Sequence, residues 1–140
     1  MESMPTPLTL HCELDARCLG PHAPYTEQTM YWWLPDLGPT ASLLLQRLAQ
    51  IALLPEGDRW CLLSDMQIML GVSLGGRNSK LMNALARLER YADCVLHGNG
   101  TEIHVSIPNG LPIIRLDRRE RWPEGWNDIY ENEFLTKAAW

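Results

Sequence analysis

A chain of 140 residues, 46% of them hydrophobic, can bury a self-supporting core, so we expect one globular domain with extensions. The net charge of −5 argues against a protein that coats nucleic acid indiscriminately, and four scattered cysteines do not make a disulfide framework. The N-terminus lacks the features of a signal peptide, and no apolar run is long enough to span a membrane. We therefore expect a cytoplasmic protein.

Residues 1–38 form a proline-rich N-terminal extension in which two short strands are predicted. The first is Leu8–Leu14, where apolar residues alternate with polar ones. The second is Gln28–Leu34, which ends in aromatic residues. Gly38-Pro39 then breaks the pattern.

Helical spacing of leucines up to Leu54 predicts the first helix of the core. Trp60–Leu63 is a short apolar run that is consistent with a strand closing onto a later hairpin. A second, short helix follows, with Ser64 as its predicted N-cap and Gly71 at its end, because glycine readily adopts the left-handed conformation of a helix stop.

The third helix has the clearest pattern, since Leu81, Leu85, Leu88 and Ala92 fall on one face. Residues 94–107 then predict a β-hairpin around an Asn-Gly turn, which Pro108-Asn109-Gly110 ends. Leu111–Leu116 could form one more extended segment, and 117–121 is a charged stretch. An amphipathic helix is predicted from Asn127, with an apolar side made of Ile129, Tyr130, Phe134, Leu135 and Ala138.

Two motifs carry a resemblance to a known family. Leu70-Gly71-Val72-Ser73, followed by Ala84-Leu85-Ala86-Arg87-Leu88-Glu89, resembles the core of bacterial winged helix-turn-helix transcription regulators. The resemblance implies an α+β fold with a winged helix-turn-helix domain at 39–116 and a C-terminal extension with a short helix at 117–140. The stretch between the motifs is about one helical turn longer than the family pattern, and we predict a flexible turn at Leu74–Arg77.

The outer face of the third helix is the predicted DNA-binding surface. Lys80, Asn83, Arg87 and Arg90 are spaced to form one stripe. Arginine and lysine can contact guanine edges and phosphates, and asparagine can contact adenine. Arg77 and Ser79 could meet a phosphate at the helix N-terminus, and Arg118 and Arg119 could add phosphate contacts. The alternative is that both groups are ordinary solvated surfaces.

The hairpin tip carries His97 and Asn99 with Glu102 beside them instead of arginine or lysine, which favours a hairpin that covers the core over a DNA-gripping wing. From Arg77 to Arg121, however, eight basic residues oppose five acidic ones, a net charge of +3. The acidic excess therefore lies in the flanks.

Metal binding and catalysis find little support in the sequence. The spacing of His11, Cys12, Cys18 and His22 matches no zinc pattern, and alternation puts His11 and Cys12 on opposite faces of a strand. No phosphate loop, nucleophile elbow or paired acid is present in the sequence. We therefore expect neither an enzyme nor a bound metal or cofactor.

Several aromatic residues lie outside the predicted domain at 39–116: Tyr31, Trp32, Trp33, Trp122, Trp126 and Trp140. They could pack in the core, or they could form an exposed patch that recruits a protein. Two functions stay open. The first is a transcriptional regulator that binds double-stranded DNA as a homodimer formed through its terminal extensions. The second is a protein–protein interaction module that does not bind nucleic acid.

Overall fold

The computed structural model describes residues 8–72, 80–99 and 101–135 and has an α+β architecture built on a four-stranded sheet. The strand order is β2-β1-β4-β3, with β1 parallel to β4 and the other pairs antiparallel. The strands are β1 (Thr9–Leu19), β2 (Trp60–Leu62), β3 (Val95–Asn99) and β4 (Glu102–Gly110).

The predicted N-terminal strand and the hairpin are confirmed, but the predicted pairing of the Trp60 strand with the hairpin is wrong. β1 lies between β2 and β4, so β2 pairs with β1 instead. Leu10 and Cys12 of β1 are fully buried, as their alternation predicts. The N-terminal segment is thus a central strand of the sheet.

β4 continues to Gly110, so the predicted end of the hairpin at Pro108 is also wrong. Gly20 donates its N–H to the Gly110 carbonyl at 3.0 Å. A Cβ on either glycine would overlap the backbone of the other segment. Two glycines therefore allow the backbones to approach and the strand to extend. Beyond it, Leu111 makes only an isolated bridge to His22 in place of a further strand.

The predicted strand at Gln28–Leu34 is wrong, because this segment is the beginning of a long helix, α1 (Glu27–Ala52). Thr26 caps the helix by accepting the Thr29 N–H on its hydroxyl oxygen at 3.3 Å. The buried residues of the segment recur at helical and not at strand spacing: Thr29, Trp32, Trp33 and Leu37.

The break predicted at Gly38-Pro39 is confirmed as a kink within α1. Gly38 has φ 79° and ψ 166°, a combination that is essentially restricted to glycine. Pro39 has no backbone N–H to donate. The kink thus divides α1 into segments 27–37 and 39–52 and leaves carbonyl groups at the end of the first segment without helical partners.

The second and third helices are confirmed as α2 (Leu63–Met69) and α3 (Lys80–Tyr91). The predicted cap is wrong, because α2 begins at Leu63, before Ser64, with Leu62 at the cap position. Gly71 has φ 69°, as the predicted helix stop requires. The turn at Leu74–Arg77, where we predict flexibility, lies outside the described residues.

The charged stretch after β4 contains a short helix, α4 (Leu116–Arg119), and the predicted C-terminal helix is present as α5 (Trp126–Tyr130) with a π-helical turn over Glu131–Leu135. Tyr130 is fully buried, with its ring 5.3 Å from that of Trp32 in α1. Tyr130 therefore anchors this helix in the core, whereas Ile129, which the sequence assigns to the same apolar side, is 54% exposed, so that part of the prediction is wrong. In the described parts of the chain, no helix has both the length and the apolar character needed to cross a membrane.

Candidate nucleic-acid interface

The two faces of α3 are clearly separated. Leu81, Ala84, Leu85 and Leu88 are buried in the core, whereas Lys80, Asn83 and Arg90 are exposed. The stripe predicted from helical spacing is therefore present on the open side of the helix. Of the acids in α3, Glu89 is also exposed but does not share the spacing of the stripe.

Arg87, the remaining member of the stripe, is bonded to the kink in α1. Its guanidinium donates from Nε to the Leu37 carbonyl at 3.0 Å and from Nη2 to the Asp36 carbonyl at 2.6 Å. These carbonyls lie directly before Gly38, where the helical hydrogen bonds are interrupted. Arg87 therefore caps the first segment of α1, and this structural role limits its freedom to read a base.

Three guanidinium groups surround the ring of Tyr91, and we call Tyr91 with these arginines the Tyr91 cluster. Arg118 lies 4.6 Å from the ring centroid, and Arg87 and Arg90 each lie 5.2 Å from it. Arg118 also pairs with Asp36, at 3.4 Å between Nη1 and Oδ2. The tertiary structure thus joins a residue of the C-terminal stretch to the stripe on α3.

Two clefts flank the Tyr91 cluster. One, of about 260 Å³, lies between the kink and α3 and is lined by Lys80, Asn83 and Arg87 together with residues 37–41. The other, of about 120 Å³, contains Arg90, Arg115 and Arg118 along with Asp36 and Asp93. Basic side chains therefore line both clefts, with two aspartates among them in the second.

Arg119 has a different environment from its neighbour Arg118. It is 6% exposed and donates to the Ile114 carbonyl at 2.7 Å, to Asn127 Oδ1 at 2.8 Å and to Glu131 Oε1 at 3.0 Å. Its guanidinium also lies 5.4 Å from the Tyr130 ring centroid. A phosphate cannot reach a side chain that is buried and bonded in this way, so the predicted phosphate contact by Arg119 has no support in the structure.

Sequence reasoning missed Tyr91 and Asp36. The role of Tyr91 could have been predicted, because Tyr91 follows Arg87 by four residues and therefore lies on the same side of α3. Asp36 meets Arg118 only through the packing of α1 on the C-terminal region, a contact that no sequence spacing indicates. Arg77 and Ser79, the predicted phosphate contacts before α3, lie outside the described residues.

The thiols contribute little chemistry. Burial raises the pKa of both Cys12 and Cys94 to about 12 and that of Cys61 to about 11. All three are free cysteines. They remain protonated at neutral pH and pack as small apolar groups.

A second surface, which we call the aromatic groove, lies where α1 meets the C-terminal helices. It has a volume of about 190 Å³ and is lined by Tyr31, Trp32, Pro35, Trp122, Pro123 and Trp126. Trp32 is 6% exposed, whereas Tyr31 is 56% and Trp126 37% exposed. Core packing is therefore confirmed for Trp32, whereas Tyr31 and Trp126 are left partly in solvent; Trp140 lies outside the described residues.

Comparisons of the chain with models of protein families, with curated proteins and with solved structures found no match.

Proposed function

We propose that the chain is a winged helix-turn-helix DNA-binding protein, a transcriptional regulator that docks α3 in the major groove. The second segment of α1, then β2, α2, α3 and the β3–β4 hairpin follow the element order of that family. β1 is an addition that lies between β2 and β4. The observation that carries the proposal is the open basic face of α3, which continues to Arg118.

The contacts of each side chain suggest different roles. Lys80 and Asn83 are exposed and line the cleft beside the kink, so we assign base contacts to them. Arg90 and Arg118 flank Tyr91 and are assigned to phosphates. Arg87 holds the kink and thereby fixes the angle between α1 and α3.

A salt series separates these roles. Binding of the full chain to a random-sequence duplex should weaken as salt rises, because the protein releases cations from the phosphates it contacts. Arg90→Ala should reduce the slope of log K against log salt by about one. Arg47→Ala removes an exposed arginine from α1 and is the matched control, for which the slope should not change.

A test of base recognition requires a duplex whose sequence the protein prefers. On a duplex enriched from a random pool, Asn83→Ala should cost about 1 to 3 kcal/mol and relax the preference at one position, with the salt slope unchanged. Absence of duplex binding by the wild-type chain at low salt would exclude the proposal.

The alternative function is a protein–protein interaction module without nucleic-acid binding, and the aromatic groove is the observation that favours it. Tyr31 and Trp126 are large aromatic side chains left partly in solvent, a composition typical of interface centres. The predicted homodimer would use this surface, because residues of both terminal extensions line the groove, whereas Tyr130 of the C-terminal extension is already buried in the core.

Sedimentation of the wild-type chain and of Tyr31→Glu tests the dimer. A shift from dimer to monomer in the variant alone supports the groove as the contact surface. If the wild-type chain and the variant both sediment as monomers at tens of micromolar, a stable homodimer is excluded. Substitution is preferable to deletion of residues after Arg121, since deletion would remove Tyr130 from the core.

A further inference from the structure

Three of the four histidines lie in one row across the sheet. The register pairs Trp60 with His11, His11 with His104, and His104 with His97, so the row crosses all four strands in the order β2-β1-β4-β3. These residues alternate with Leu10, Cys12 and Val105, which are fully buried. The row therefore lies on the face of the sheet that is turned away from the core.

The separation of the His11 and His104 rings is compatible with a shared metal ion. Their centroids are 5.2 Å apart and their planes are inclined by 45°. For two imidazoles that bind one tetrahedral ion with metal–nitrogen bonds of roughly 2.0 to 2.1 Å, simple geometry gives a centroid separation of about 5 Å. The side chains are 31% and 41% exposed, so an ion can reach them from solvent.

The surroundings of the pair are acidic. Glu102 Oε2 lies 3.0 Å from Nε2 of His104, and Glu13 Oε1 lies 3.9 Å from Nδ1 of His11. A carboxylate that accepts the N–H of one ring nitrogen fixes the tautomer and leaves the other nitrogen free to bind a metal. The adjoining cleft of about 290 Å³ is lined by Thr9, His11, Trp60 and Glu102, without lysine or arginine.

We propose that His11 and His104 bind a divalent transition metal ion and that Glu102 orients His104 for this role. Within the described residues, no three His, Cys, Asp or Glu side chains are grouped to hold a metal. The site therefore has two protein ligands, and water completes the coordination. Imidazole ligands suit nickel, copper and zinc, whereas an oxygen-rich site would suit magnesium or calcium.

Calorimetric titration of the full chain with Ni²⁺ at neutral pH tests the proposal. Nickel is the probe because imidazole binds it well, and the buried thiols stay protonated. The wild-type chain should bind one ion, and His11→Ala and His104→Ala should each abolish saturable binding. Glu102→Gln should weaken binding by about tenfold, since it removes the carboxylate but keeps the shape of the side chain.

His97→Ala is the matched control, because it removes a histidine from the same row but leaves the pair intact. Its affinity for Ni²⁺ should equal that of the wild type. Imidazole resonances give a second measurement: those of His11 and His104 should broaden with Ni²⁺ before those of His97 and His22. The proposal is overturned if the wild-type chain binds no nickel, if binding survives both alanine substitutions, or if His97→Ala weakens it as much as they do.

Discussion

Two tyrosines, each stacked with arginine, occupy opposite environments in this protein. Tyr91 is half-buried at the end of α3, with the Tyr91 cluster of three guanidinium groups around it. Tyr130 is fully buried, and its hydroxyl accepts the Ile114 N–H at 2.9 Å and bonds to His22 Nε2 at 2.6 Å. We call Tyr130 with His22, Trp32, Arg119 and Phe134 the Tyr130 cluster.

The difference shows that the role of an arginine–tyrosine pair depends on the other groups that surround it. In the Tyr130 cluster the guanidinium of Arg119 has carbonyl, amide and carboxylate acceptors, and it holds the C-terminal helices on the core. In the Tyr91 cluster Arg90 is exposed, whereas Arg87 bonds to carbonyl groups of α1 and Arg118 pairs with Asp36. The first cluster is enclosed in the core, and the second lies at the surface.

The largest expected effect is a difference in unfolding free energy between alanine variants of the neighbours Arg119 and Arg118. Arg119→Ala should lower the free energy of unfolding by about 3 kcal/mol, because it leaves the Ile114 carbonyl and Glu131 without their charged donor. Arg118→Ala should cost about 1 to 2 kcal/mol, since the Arg118 side chain is 25% exposed against 7% for Arg119, and water can take its place beside Asp36. Urea unfolding measures both, and equal losses would contradict the distinction between the clusters.

The second largest effect should be a loss of stability on acidification, which acts on the Tyr130 cluster. Burial lowers the pKa of His22 from 6.5 to about 4, so the folded state keeps this imidazole neutral. Above pH 6.5 the imidazole is neutral in both the folded and the unfolded chain, so its titration does not change the stability with pH. As the pH falls from 6.5 towards 4, the unfolded chain binds the proton more readily, and the free energy of unfolding should drop by up to about 3 kcal/mol.

His22→Asn isolates this contribution, because asparagine does not titrate in this range. The variant should start less stable at neutral pH and should lose less stability on acidification than the wild-type chain. Parallel curves of unfolding free energy against pH would show that His22 already binds a proton in the folded state or that another group causes the loss.

The smallest effect lies within the Tyr91 cluster. Arg87→Ala should cost about 1 kcal/mol, because the carbonyls before Gly38 lose their donor but can bind water instead. Arg90→Ala, which removes a guanidinium from the same ring, should stay within about 0.5 kcal/mol of the wild type. Thermal unfolding of the two variants compares a structural arginine with one that we assign to phosphates, and a larger loss for Arg90→Ala would reverse the assignment.

Much of the middle of the fold could be predicted from local patterns. Leu81, Leu85 and Leu88 repeat at helical spacing, and α3 is found there with these residues buried. The hairpin and the stop at Gly71 follow from turn chemistry in the same way. Because such features depend on residues close in sequence, periodicity and the positions of glycines suffice to predict them.

Residues 28–34 show where local patterns fail. Aromatic side chains favour strands in general, but Trp32 and Trp33 are helical here because Thr26 caps the segment and the C-terminal helices cover Trp32. The position of β1 between β2 and β4 depends on pairing with residues about 90 positions away, which no local signal specifies.

The amino-acid sequence by itself determined the helices and strands of the middle, the break at Gly38 and the basic stripe on α3, because each depends on spacing within a few turns. Only the tertiary structure decided which arginines are free. Arg87 is bonded to a kink in another helix, Arg119 is enclosed by the C-terminal helices, and Arg118 is brought to Tyr91. The physical reason is that a guanidinium binds whatever acceptors the fold brings within reach, and those acceptors lie far away along the chain.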